Sequence, residues 1–277
     1  MNTVPEITLN NGVRIPQLGF GTYQVASEAT KDATLTALEI GYRHIDTAQM
    51  YGNEKQVGQA VRESGIARGD VFVTSKLNNG LHAYDDAMRA FDRTLRDMGL
   101  DYLDLFLIHW PMSADGTFVE AWKALSDIYR SGRVKAIGVS NFQPHHLRRL
   151  FEESAIVPAV NQIEVHPYLA QEHVRAYGAR HGIATQAWSP IARGKILDDP
   201  EIARIAERLG RSTAQVALRW HVQRGDIIFP KSATRTRLEE NFDLFSFELT
   251  AEDIEMIATL DRDERTGPHP DHFGHVP

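Results

Sequence analysis

The chain has 277 residues, 42% hydrophobic and 24% charged, a composition that supports a sizeable core and excludes intrinsic disorder. Lys and Arg number 30 against 37 Asp and Glu, a net charge of −7 with no basic block of the kind that binds nucleic acid or an anionic membrane. The absence of cysteine excludes disulfides, thiolate metal sites, iron–sulfur clusters and cysteine nucleophiles.

Met1 to Pro5 lack the charged-then-apolar form of a signal peptide. The longest apolar stretch, Leu105-Phe106-Leu107-Ile108, is far too short to span a bilayer. No proline- or serine-rich linker divides the chain, so the expectation is a soluble, cytoplasmic enzyme with one domain over residues 1–277.

In chain order, the first element is a hairpin. Ile7-Thr8-Leu9 and Val13-Arg14-Ile15 alternate in polarity around Asn10-Asn11-Gly12. Strands are then predicted at 18–21, 43–46, 71–75, 103–109, 136–139, 159–163, 183–187 and 227–230. Helices are predicted at 28–40, 53–63, 84–98, 118–131, 144–154, 171–181, 200–222 and 235–242. Gly41, Gly65, Gly99, Gly132, Gly182 and Gly225 each end a periodic segment before the next strand. The 200–222 stretch breaks in two at Gly210-Arg211-Ser212, with Ser212 or Thr213 as the new cap.

Runs such as Leu103–Ile108 are mostly apolar without strict alternation, as parallel strands buried on both faces are. Eight strands, each followed by a helix, in about 250 residues is the count of an α/β (β/α)8 TIM barrel. The hairpin closes its bottom and extra helices follow at the C-terminal end. An open doubly wound sheet would carry G-x-G-x-x-G after its first strand, and Gly19-Phe20-Gly21-Thr22 lacks the later glycine. The segment after about residue 261, rich in His, Pro, Asp and Gly, reads as a surface extension. Its His269, His272 and His275 read as solvated, and no metal is expected.

Functional groups in such a barrel sit where strands end. Here those ends carry Asp46 before Tyr51, then Lys76, His109-Trp110, Ser140-Asn141, Gln162, Trp188-Ser189 and Lys231-Ser232. An acid, a phenol, an amine and an imidazole converge on one rim.

The blocks Arg43–Glu54, Leu107-Ile108-His109-Trp110-Pro111, Gly138-Val139-Ser140-Asn141-Phe142 and Ile228-Phe229-Pro230-Lys231-Ser232 resemble the aldo-keto reductase family, in order and spacing. The resemblance runs from the hairpin to about Leu260. With Val157–Glu164 it is closest to small bacterial members of the 2,5-diketogluconate reductase type. It implies an NADPH-dependent oxidoreductase, often monomeric, that reduces aldehydes or ketones (small carbonyls, α-dicarbonyls or keto sugars) to alcohols.

By that resemblance Tyr51 is the general acid, Lys76 its tuner, Asp46 the partner of Lys76, and His109 the donor that orients the carbonyl. A free phenol has a pKa of about 10, and a nearby ammonium is expected to lower it. Ser140, Asn141 and Gln162 are expected to hold the nicotinamide carboxamide, and Trp188 to stack on its ring. Gly21, Thr22, Ser189 and Ile191 complete the cofactor groove. Lys231, Ser232 and Arg237 form an anion site at a helix start for the 2′-phosphate, with Glu240 and Asn241 near the adenine. Tyr23, Asn78, His109 and Trp110, with Phe142, are expected to line the substrate pocket.

Three positions depart from the family pattern: Asn78 stands where an aromatic is usual, Arg193 where Gln is common, and Thr234 where a basic residue is frequent. Two other readings compete. A non-catalytic nicotinamide-nucleotide-binding sensor or accessory protein would share the fold. A metal-dependent barrel hydrolase would need several ligands at strand ends, whereas His44 and His109 have no third companion.

Overall fold

The computed structural model describes residues 4–112 and 116–274. The chain opens with the predicted hairpin, β1 (Glu6–Thr8) and β2 (Arg14–Pro16), antiparallel with Ile7 opposite Ile15. Eight strands follow: β3 (Phe20–Gly21), β4 (His44–Asp46), β5 (Phe72–Leu77), β6 (Leu103–Ile108), β7 (Val134–Ser140), β8 (Val160–Glu164), β9 (Ala184–Trp188) and β10 (Ile227–Ile228). They lie side by side in chain order, every neighbouring pair parallel. A parallel bridge from Leu18 to Ile228 brings the two outer strands together. There Gly19 N donates to Ile228 O at 2.7 Å and Ile228 N to Gln17 O at 2.9 Å. The last strand is shorter than predicted, because Pro230 has no N–H to extend the ladder.

The helices that follow the strands are α1 (Ser27–Ile40), α2 (Glu54–Glu63), α3 (Tyr84–Met98), α4 (Phe118–Arg130), α5 (Pro144–Glu153), α6 (Glu172–Arg180), α7 (Pro200–Leu209), α8 (Thr213–Gln223) and, after β10, α9 (Arg235–Phe242). The break before α8 falls where expected, and Ser212 caps the new helix by accepting from Gln215 N at 3.2 Å. One of the extra C-terminal helices was not located by periodicity. It is α10 (Ala251–Ala258), started by a capping box of Thr250 and Asp253. No helix among the described residues is long and apolar enough to cross a membrane.

Every residue of β5 and β6 is buried, which explains their unbroken apolar character. The main hydrophobic cluster lies between the strands and the helices. A second one, built by Leu9, Ile15, Phe72, Leu105, Leu107 and Val160, joins the hairpin to the barrel interior. Asn10 and Asn11 stitch the hairpin turn down by donating to Pro158 O at 3.0 Å and Lys135 O at 2.9 Å. With the hairpin packed at the strand starts, the opposite rim is left for chemistry.

The segment after Leu260, expected as a surface extension, is exposed at many positions yet tied back at several. Arg262 N and Glu264 N donate to Tyr168 O, and Pro270 is buried. Phe273 stacks on Trp110 with ring centroids 4.3 Å apart. His275 lies outside the described residues.

Candidate active site

β4 and β5 deliver the central pair. Asp46 ends β4 and Lys76 sits near the end of β5, both buried, with Lys76 Nζ 2.6 Å from Asp46 Oδ1. Such a short contact is that of a charge-assisted hydrogen bond. Lys76 also donates to Thr47 O at 2.9 Å and to the Tyr51 hydroxyl at 3.4 Å. Burial lifts the Asp46 carboxyl above its ordinary value and draws the Lys76 ammonium below its own, each partly restoring the other.

Tyr51 rides on a one-turn 3₁₀ helix at 49–51, closed by Gly52 at φ 67°, a left-handed conformation that favours glycine. Asn53 anchors this turn: its Oδ1 accepts from Thr47 Oγ1 at 2.8 Å and its Nδ2 donates to Thr22 O at 3.0 Å. Gln49 ties the same turn to the loop after β5 by accepting from Asn78 N at 2.8 Å. Contrary to expectation, the nearby Lys76 does not leave the Tyr51 pKa below its ordinary value. Burial raises that phenol well above its ordinary value, and the charge of Asp46 adds to the rise. The hydroxyl therefore keeps its proton at neutral pH.

His109, after β6, lies with its ring centroid 5.7 Å from that of Tyr51 at 74°. Burial and the Lys76 charge hold its pKa well below the ordinary value, so the ring is neutral, with one N–H and one lone pair. Tyr23, half exposed, packs 5.1 Å from Tyr51. Trp110 is covered by Phe273, and Asn78 is half-buried with its Oδ1 accepting from Asn79 N. Phe142 does not line the pocket: it is fully buried against Phe118 and His146.

Ser140, Asn141 and Gln162 meet beside this group. Ser140 Oγ donates to Gln162 O at 2.9 Å, and Asn141 Nδ2 donates to His109 O at 3.0 Å. Trp188 is half-buried and its Nε1 donates to Asn141 Oδ1 at 2.8 Å, which fixes the indole plane. Gln162 Nε2 donates to Asp46 Oδ2 and to Gln186 Oε1, both at 2.8 Å. Gln186 was not singled out from the sequence. Its signal was its place two residues before Trp188, on the same face of β9.

Gly21 is required where it stands, since a Cβ there would lie 2.5 Å from Phe229 O. The single hydrogen of the Thr22 hydroxyl has Asp46 O at 3.1 Å and Asn53 Oδ1 at 3.3 Å as its acceptors, so this side chain braces the end of β4. Ser189 begins a loop with positive φ at Ser189, Ala192, Arg193 and Gly194, which carries Ile191 half-buried and Arg193 exposed. At the start of α9, Ser232 is buried while Lys231 and Arg237 are exposed and make no ion pair among the described residues. Glu240 and Asn241 are half-buried farther along α9.

Sequence reading missed the tail's part in this rim. Glu164, two residues beyond Gln162, receives Thr266 N at 2.6 Å, Gly267 N at 3.2 Å and His166 Nε2 at 3.1 Å. These donors outweigh burial and hold its carboxyl below the usual range. Gly267 lies so close to the indole that a Cβ would sit 2.5 Å from Trp188. Asp271 rests 3.3 Å from His145 Nε2 and 3.5 Å from His146 Nε2. These three are the metal-capable cluster among the described residues. His146 Nδ1 accepts from Gln143 N, however, so its neutral ring carries the proton on Nε2 and turns a hydrogen toward Asp271. His44 is likewise structural, buried between Pro16 O and Thr74 Oγ1.

Comparison with known proteins matches residues 17–262 to the aldo/keto reductase family. A Mycolicibacterium smegmatis aldo-keto reductase is 50% identical over 97% of this chain and 98% of its own length. A Bacillus subtilis glyoxal reductase is 45% identical over 96% of each chain. The structure of a Gox0644 variant in complex with NADPH superposes with a TM-score of 0.95 at 41% identity, over 98% of this chain and 99% of the other. With the rim, the barrel and these likenesses in agreement, the chain belongs to the aldo/keto reductase family.

Proposed function

We propose that this protein reduces small aldehydes and α-dicarbonyls of the glyoxal type to alcohols, with NADPH as cofactor and Tyr51 as general acid. The observation that carries the reading is the buried Asp46–Lys76–Tyr51 chain with the neutral ring of His109 beside it. The glyoxal reductase likeness supports the substrate class, and the NADPH-bound neighbour supports the cofactor.

The residues fit a nicotinamide nucleotide. Trp188 offers a half-buried, fixed plane, and Gln162 Oε1 accepts from no described residue. Lys231 and Arg237 are exposed and make no ion pair among the described residues, and Ser232 lies between them in the sequence, a donor set suited to a phosphate. The bound cofactor supplies a hydride to the carbonyl carbon. Ser140, Asn141 and Gln162 would hold its carboxamide, and Lys231, Ser232 and Arg237 its 2′-phosphate.

The protein's own work is on the carbonyl oxygen. The His109 N–H donates to that oxygen and sets its direction, and the Tyr51 O–H delivers the proton. The phenolate left behind lies against the Lys76 ammonium, which Asp46 keeps in place. Lys76 thus acts on the product of the proton transfer. Tyr51→Phe removes the proton at almost no change of volume. Turnover with methylglyoxal and NADPH should fall by at least ~10²–10⁴-fold with the NADPH dissociation constant nearly unchanged. Near wild-type turnover would overturn the mechanism.

A further inference from the structure

Gln162 and Gln186 are register partners on β8 and β9, as are Glu164 and Trp188 two residues further along. Asp46 sets the direction of the amides. Its Oδ1 holds the Lys76 ammonium, and its Oδ2, as a carboxylate oxygen, only accepts. The Gln162 atom 2.8 Å away is therefore the amide nitrogen. The second hydrogen on that nitrogen goes to Gln186 Oε1. Turning the Gln186 amide over would set donor against donor, and its own Nε2 is buried with no partner among the described residues. Both hydrogens of Gln162 are thus used inside the barrel. Its Oε1 accepts from no described residue and is the atom left for a ligand.

We infer that Gln186 is a positioning residue that locks Gln162 oxygen-outward, so that the site demands an N–H donor on the nicotinamide ring substituent. The inference rests on the nicotinamide reading above. Without the Gln186 acceptor the bond to Asp46 still keeps the Gln162 nitrogen inward, but its second N–H is left buried and unpaired, and the amide pivots about the Asp46 bond to satisfy it, taking its oxygen off the ring.

The test is equilibrium binding of NADP+ and of its 3-acetylpyridine analogue, in which a methyl replaces the carboxamide NH2. The wild-type chain should bind NADP+ about 10-fold more tightly than the analogue, the value of one hydrogen bond. Gln186→Met and Gln186→Leu, which lack the acceptor, should bring the two to within ~2-fold, and Gln186→Glu, which retains an acceptor oxygen, should restore the gap. Circular dichroism establishes that each variant is folded. Full discrimination by either folded apolar variant, or none by the wild type, overturns the inference. A wild-type chain that binds neither nucleotide overturns the nicotinamide reading itself.

Discussion

Three acceptors converge on the single ammonium of Lys76: a carboxylate, a backbone carbonyl and a phenol. Lys76→Met leaves the Asp46 charge buried and unpaired, a change that typically costs about 3–5 kcal/mol of stability. Reduction of carbonyls should collapse as well, because the phenolate that forms on proton transfer loses its counter-charge. Urea unfolding and the pH–rate profile of residual activity separate the two effects. A loss of stability with an unchanged profile would make Lys76 a structural residue alone. At the other end of the groove, Arg237 faces solvent without a carboxylate partner among the described residues. One charge-assisted hydrogen bond contributes roughly 1.5–3 kcal/mol. Arg237→Ala should therefore weaken NADPH about 10- to 100-fold and leave NADH nearly unaffected. Fluorescence titration of both cofactors reads this, and equal losses would assign Arg237 to the adenine or the fold.

At the scale of elements, β8 holds the tail through one carboxylate. Glu164→Gln removes the charge that the Thr266 and Gly267 N–H groups point to, and hydrogen bonds to charged groups are worth roughly 1.5–3 kcal/mol. Amide exchange at Thr266 and Gly267 should quicken while that of β5 and β6 stays slow. Unchanged protection at those two amides would show that Phe273 on Trp110 and Asp271 at α5 suffice. The tail illustrates what a sequence leaves unsaid. Its polar residues look solvated, because their partners lie about a hundred positions away and no local period reports them. Asp46, Lys76 and His109 were legible because each polar group closes an apolar run, and Tyr51 through the signature that follows β4. Gln186 was not, because it sits within a strand where a buried amide and a surface one are written alike. The helices α1 to α9 were legible from apolar period and glycine stops. α10 is only two turns long and left too short a pattern, although Thr250 and Asp253 spelled its cap.

For the molecule as a whole, two neutral imidazoles hold separate parts together. His44 links β4 to the end of the hairpin, and burial lowers its pKa to about 3. His146 caps α5 and faces the tail, and burial with the neighbouring His145 lowers its pKa to about 4. Unfolding returns both rings toward the ordinary value of 6.5. Below that value the unfolded chain binds more protons than the folded one, so stability falls as pH falls, until the folded rings titrate in turn. Between pH 7 and pH 5 each contributes a loss of roughly 2 kcal/mol. Urea unfolding at the two pH values checks this, and equal midpoints would mean that both rings titrate in the folded state as they do in the unfolded chain.

The bridge between Leu18 and Ile228 joins positions roughly 200 residues apart. Synthesis on the ribosome therefore exposes a widening curved sheet with β3 as one free edge until Ile228 has left the exit tunnel. Nearly the whole chain is made before that edge finds its neighbour, and an unpaired strand edge is an invitation to other nascent chains. The interval is longest when translation is fast relative to folding. Cells overproducing this protein should therefore yield more of it in the soluble fraction when elongation is slowed by cooling.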